Sequence, residues 1–132
     1  FRIDNNGDQN CGSPTDNNEN DGRTCMNSVD DDGDGLVDSN DPGCSGNQDE
    51  TEQGTTACDD GVDNDNDGRV DYKTTAIGDP GCTGPTDTSE RQSGGPACDN
   101  TADDDTDTTI DFRWDGTGDL LCFAPSDTTE NL

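Results

Sequence analysis

Apolar side chains are few along this sequence, and they fall at fixed stations. Val37, Val70 and Ile110 each stand directly before an aspartate that closes a nine-residue run of alternating acids. The runs are Asp30-Asp31-Asp32-Gly33-Asp34-Gly35-Leu36-Val37-Asp38, Asp63-Asn64-Asp65-Asn66-Asp67-Gly68-Arg69-Val70-Asp71 and Asp103-Asp104-Asp105-Thr106-Asp107-Thr108-Thr109-Ile110-Asp111. A cysteine stands five residues ahead of each run, at Cys25, Cys58 and Cys98. No segment shows helical periodicity, and Gly, Asp, Asn, Pro and Thr dominate, so regular secondary structure should be sparse. Thr109-Ile110-Asp111-Phe112-Arg113-Trp114 alternates apolar and polar residues, and Arg69-Val70-Asp71-Tyr72 does so more briefly, which predicts short strands there. The aromatic side chains Tyr72, Phe112 and Trp114 are expected to cover the disulfides and the small apolar seams of neighbouring repeats, with a ligand or subunit contact as the alternative.

The acid ladders have the chemistry of a calcium loop. Carboxylates at the first, third, fifth and ninth positions can encircle a hard cation, a glycine at the sixth allows the sharp bend, and the seventh residue offers its carbonyl. In the three ladders these are Asp30, Asp32, Asp34, Leu36 and Asp38; Asp63, Asp65, Asp67, Arg69 and Asp71; and Asp103, Asp105, Asp107, Thr109 and Asp111. Thr108 replaces the glycine in the third ladder, at a bend that favours a positive φ, so this loop is expected to be the weakest site.

Self-comparison extends the pattern. When Cys11, Cys44, Cys82 and Cys122 are aligned, an aspartate precedes each by three residues, at Asp8, Asp41, Asp79 and Asp119. An Asp and Glu pair follows each, at Asp16 and Glu19, Asp49 and Glu52, Asp87 and Glu90, and Asp127 and Glu130. All of these, with Asp4 at the end of a truncated first ladder, are candidate metal ligands. The chain then divides into the tail of a repeat over 1 to 24 and three full repeats over 25 to 57, 58 to 97 and 98 to 132. It reads as a window cut from a longer array, or as a subunit that its neighbours complete. In the middle copies the second cysteine is entered through Asp41-Pro42-Gly43 and Asp79-Pro80-Gly81, which predicts a type II turn with glycine at positive φ.

Composition turns this pattern into a physical problem. Thirty-three acids stand against six bases, with no histidine, a formal charge of -27 and 22% hydrophobic residues in 132. Charge and hydropathy of this kind belong to chains that cannot fold on a hydrophobic core. Cysteines and bound cations are the remaining staples. A polyanion has no electrostatic reason to approach nucleic acid, and no apolar stretch is long enough to insert in a membrane. Seven cysteines in so polar a chain imply an oxidising, extracellular setting, secreted or at a cell surface.

Two cysteine pairings fit the spacing. One closes each ladder, Cys25 to Cys44, Cys58 to Cys82 and Cys98 to Cys122, leaving Cys11; the other links repeats, Cys11 to Cys25, Cys44 to Cys58 and Cys82 to Cys98, leaving Cys122. The first is preferred because each bond would staple a ligand-bearing segment. A zinc site is not expected, since no two cysteines lie close together and there is no histidine.

Cysteine-flanked ladders in tandem resemble the thrombospondin type 3 calcium repeats and the bacterial secreted repeats written as Asp-Gly-x-Asp-Asn-Asp-x-Asp-Gly followed by Asp-Pro-Gly-Cys. The match is closest from Cys58-Asp59-Asp60-Gly61-Val62-Asp63 through Cys82 and weakest in the third copy. The resemblance implies a calcium-ordered, extended stalk or adhesive array. The fold class expected is therefore small, irregular, calcium- and disulfide-stabilised tandem repeats, mostly loops and turns with a few short β-strands, in a solenoid-like or beads-on-a-string array. The expected function is a structural extracellular protein forming a stalk, fibre or filament, as a homopolymer or longer array. The alternative is a calcium-dependent adhesin or binding module facing a protein or glycan. Catalysis is not expected, because no nucleophile is paired with a base. Hydroxyls in the connectors, notably Thr55-Thr56 and Thr128-Thr129, are candidate acceptors for O-linked glycan.

Overall fold

The computed structural model describes residues 23–91 and 93–130. Cys11 and the candidate ligands Asp4, Asp8, Asp16 and Glu19 lie outside them. The described residues group into two compact units: 23–31 with Leu36–Glu52, and Asp32–Gly35 with 53–130. The first ladder is thus divided. Its segment Asp32–Gly35 belongs with the second unit because the Thr74 amide donates to the Gly33 carbonyl at 3.0 Å. The same contact recurs one ladder later, where the Trp114 amide donates to the Asn66 carbonyl at 2.9 Å.

Loops and turns make up almost all of the described chain. Regular structure is limited to three single-turn 3-10 helices, Thr24–Met26, Asp38–Asn40 and Ala97–Asp99. The short strands expected over 69–72 and 109–114 are not present. The reason lies in the backbone: Asp71 at φ 54° and Asp111 at φ 52° turn left-handed and interrupt each extended run. Their neighbours then bond to the cysteine turns instead of to a ladder of strands, Tyr72 N–H to the Cys58 carbonyl at 2.9 Å and Phe112 N–H to the Cys98 carbonyl at 2.8 Å.

Three disulfides hold these loops: Cys25–Cys44, Cys58–Cys82 and Cys98–Cys122, with Cα separations of 5.7, 5.9 and 5.7 Å. This is the pairing that closes each ladder. Each bond contributes about 3 kcal/mol by restricting the unfolded chain. Among the described residues the buried apolar side chains are five half-cystines and Pro125, whereas twelve Asp and Glu residues are buried. Burial is therefore inverted relative to an ordinary domain. Val29, Val62, Ile77, Leu120 and Phe123 are exposed, and Trp114, expected as a cover for the seams, is 77% exposed. What Trp114 does touch is the second ladder, at 3.3 Å from where a β-carbon on Gly68 would stand.

The turns before the second cysteines also depart from expectation. Cys44 N–H bonds to the Asp41 carbonyl and Cys82 N–H to that of Asp79, but Gly43 and Gly81 do not adopt positive φ, so the turns are not type II. Glycine is needed at 81 for space. A β-carbon there would lie 1.6 Å from the Glu90 carbonyl oxygen and 2.8 Å from a carboxylate oxygen of Asp99.

Candidate metal centre

Within each ladder the odd-numbered carboxylates fold back onto the amides that follow them. Asp63 accepts from Asp67 N–H at 3.1 Å and from Gly68 N–H at 3.0 Å, Asp65 accepts from Asp67 N–H at 3.0 Å, and Asp67 accepts from Arg69 N–H at 2.6 Å. The third ladder repeats this, with Asp103 accepting from Asp107 and Thr108, Asp105 from Asp107, and Asp107 from Thr109. Such side-chain-to-backbone turns curl the chain and face the remaining carboxylate lone pairs inward. The curl needs left-handed residues at the fourth and sixth positions. These are Gly33 and Gly35, Asn66 and Gly68, and Thr106 and Thr108, the last at φ 84° against 87° for Gly68.

A β-branched residue in that region carries roughly 1–3 kcal/mol of strain, against about 0.5–1 kcal/mol of extra chain entropy lost by glycine. The net gain is centred on about 1 kcal/mol and is at most about 2.5 kcal/mol, so Thr108→Gly should tighten calcium binding at the third ladder by roughly 5- to 10-fold, and by no more than about 60-fold, at about 1.4 kcal/mol per decade. A titration of the full chain followed at the amides of Asp107 and Thr109 measures this. Unchanged or weaker binding there would contradict it.

The second unit gathers carboxylates in groups with one oxygen per residue within 4.8 Å of the others, among them Asp63, Asp65 and Glu90; Asp65, Asp67 and Asp99; and Asp103, Asp105 and Asp107. Oxygens around calcium sit at 2.3–2.6 Å from the ion and so lie up to about 5 Å apart. The spacing fits. The donors are all hard carboxylate oxygens, the set that suits calcium or magnesium and not a soft metal. The first two groups are largely buried and the third is more exposed.

Burial decides the electrostatics. It is the main cause that pushes Asp67 up to about 6, Glu90 to about 7, Asp79 to about 8 and Asp99 to about 10, with neighbouring carboxylates adding to the effect. A carboxyl with a raised folded-state value holds its proton more tightly than in the unfolded chain. Without a cation, stability from these groups therefore falls as pH rises from the ordinary carboxyl range to about 8 for Asp79. A divalent ion removes that penalty by taking the proton's place.

Several residues with ligand spacing have backbone partners. Glu90 accepts from Asn64 N–H and from Asp71 N–H, Glu130 from Asp104 and Asp111, and Glu52, within the first unit, from Asp31 and Asp38. Each glutamate thus pins the second and ninth residues of its ladder together. The ninth-position carboxylates Asp38, Asp71 and Asp111 cap the turn after the first cysteine, on the amides of Asn27 and Ser28, Asp60 and Gly61, and Asn100 and Thr101. Asp49, Asp87 and Asp127 close the turn after the second cysteine, on Ser45, Thr83 and Phe123. Asp41, Asp79 and Asp119 each hold the amide two residues on, at Gly43, Gly81 and Leu121.

Two participants were not anticipated. Asp99 joins the second ladder from the segment that follows it, and Arg91 pairs with Asp65 at 2.8 Å, Asp111 at 3.4 Å and Asp99 at 3.9 Å. The sequence does carry a sign of the first. Cys98 is followed by Asp99 as Cys58 is by Asp59, and both aspartates are buried.

No family model, characterised protein or solved structure matches the chain. The clustered acids and the three disulfides are compatible with cysteine-flanked calcium-binding repeats.

Proposed function

We propose that this is a structural calcium-binding protein of the extracellular space, in which ions order and stiffen disulfide-stapled repeats along a stalk, fibre or filament. One observation carries this: the carboxylates stand where a hydrophobic core would stand. Asp67, Asp79, Glu90 and Asp99 are each under 5% exposed, so an ion held there is closed off from any substrate and acts as architecture. Asp63, Asp65 and Glu90 would hold one such ion in the second unit, supplying oxygen ligands and negative charge for the ion to neutralise. Affinities on the order of 10⁻⁴ to 10⁻³ M suit a module bathed in extracellular calcium. The three disulfides fit an oxidising environment. No described helix is long and apolar enough to cross a membrane.

In this proposal the partner is a further copy of the chain or a longer tandem array, and the exposed threonines of the connectors are open to O-linked glycan. No catalytic role is assigned. Negative-stain electron microscopy of native material, with and without a chelator, tests the reading. Fibres that dissolve with chelator support it, and fibres indifferent to chelator overturn it.

The alternative is a calcium-dependent binding module, favoured by a different feature. Val70, Ile77, Phe112, Trp114 and Phe123 line an open cavity of about 510 Å³ beside the second ladder. Large exposed apolar groups grouped in this way suit a protein or glycan contact.

A further inference from the structure

The charge around Asp99 is not accounted for by the cation that the chain itself supplies. Asp99 is fully buried, and neither of its carboxylate oxygens accepts a hydrogen bond. Oδ2 of Asp67 and Oδ2 of Asp79 are buried without a hydrogen-bond partner as well. A buried acceptor with no donor costs about 1–3 kcal/mol, and more when it is charged. Four such oxygens in one place point to a ligand that meets all of them. Asp99 and Asp67 present oxygens within 4.8 Å of each other and of Asp65, and Asp79 is tied to the same place through Gly81, whose amide it holds and whose β-carbon, were there one, would lie 2.8 Å from an Asp99 oxygen.

Arg91 meets part of this demand. Its guanidinium bonds to the carboxylate and the carbonyl of Asp65, each at 2.8 Å, but it is 3.9 Å from Asp99, beyond hydrogen-bonding distance. With all four carboxyls ionised, one guanidinium leaves an excess of three negative charges, which a divalent ion reduces to one.

We propose that Asp65, Asp67, Asp79 and Asp99 form a second divalent-cation site in this unit, distinct from the one bounded by Asp63, Asp65 and Glu90, whose ion clasps the Cys98 segment to the second ladder. The proposal rests on the calcium-binding reading given above and adds to it a count and a mechanical role. Asp65 belongs to both sites. The two ions share a ligand, and occupancy of one orients a carboxylate of the other. Asp99 comes from the next repeat in sequence, so the clasp joins successive repeats by a cation in addition to the Trp114 to Asn66 hydrogen bond. The close approach of Gly81 to Asp99 belongs to the same junction, since any side chain at 81 would push into the carboxylate.

The test uses the full chain, with its disulfides verified by peptide mapping, and the two variants Asp99→Asn and Asp79→Asn. Each variant keeps the shape of the side chain, including the oxygen that Asp79 offers to the Gly81 amide, and removes one ionisable group from the site. Bound calcium is counted by equilibrium dialysis, and hydrogen exchange is followed at the Trp114 and Asp71 amides. In the parent chain calcium should slow exchange at both amides. In Asp99→Asn and Asp79→Asn the chain should bind one calcium ion fewer. Protection at Asp71, which the Glu90 carboxylate holds, should persist while calcium-dependent protection at Trp114 is lost. The exposed control Glu50→Gln should change neither. An unaltered calcium count with Trp114 still protected in both variants would overturn the second site and leave the calcium-binding reading standing. A parent chain that binds no calcium would overturn both.

Discussion

Glu90→Ala should cost roughly 2–6 kcal/mol of stability in the second unit even at saturating calcium. The carboxylate is 1% exposed and accepts from Asn64 N–H with one oxygen and from Asp71 N–H with the other. Truncation leaves two backbone donors without an acceptor, each costing about 1–3 kcal/mol when water cannot reach it. It also removes the bracket that fixes the distance between the second and ninth residues of the ladder. Set against a total stability of about 5–15 kcal/mol, this brings the unit close to unfolding, and at about 4–8 °C per kcal/mol the melting temperature should drop by at least about 8 °C. Glu130→Ala should act in the same way on the third ladder through Asp104 and Asp111. Replacing the exposed Glu50 should do neither. Thermal unfolding followed by circular dichroism checks the set, and an unaltered melting temperature in Glu90→Ala would refute the bracketing role.

The same glutamates show where the sequence is informative and where it stops. Their recurrence eight residues after the second cysteine marks them as important, and their acidity suggests cation ligands. Nothing in the spacing reveals that each reaches back across the disulfide to two amides of its own ladder. The ladders themselves are legible because their geometry is local: an aspartate that bonds the amide two residues on needs no information from elsewhere. The left-handed sixth position is legible for the same reason, and Thr108 adopts it despite its β-branch.

Strands are a different matter, because alternation at 109–114 only licenses extension if a partner strand exists. With Asp111 turned left-handed to cap the Asn100 and Thr101 amides, no ladder can form. Gly81 is conspicuous in the sequence as half of a turn pair, yet its cause is a carbonyl of Glu90 that passes where a side chain would be. Asp99 belongs to the second ladder's site only through tertiary folding, and no local spacing could place it there.

Removing calcium should have the largest effect of all. Carboxylates of the second unit meet in threes within 4.8 Å, twice around Asp65 and again at Asp103, Asp105 and Asp107. Each pair at that distance repels by about 3–4 kcal/mol at an effective dielectric of 20, so three pairs at one place amount to about 10 kcal/mol. Protonation of the most strongly raised groups, Asp79 and Asp99, relieves part of this at neutral pH, but at the expense of a structure that weakens as pH rises. The disulfides oppose opening by about 3 kcal/mol each and fix only the cysteines, not the ladders between them. Chelation should therefore leave the three cross-links intact and release the loops. The decisive measurement is the proton spectrum and hydrodynamic radius of the oxidised chain in excess calcium and then in excess chelator. Dispersed amide signals for Asn64, Asp71, Asp104 and Asp111 that collapse on chelation, with a larger radius that reverts when calcium is restored, are the expected result; an identical spectrum and radius in chelator would contradict a calcium-ordered fold.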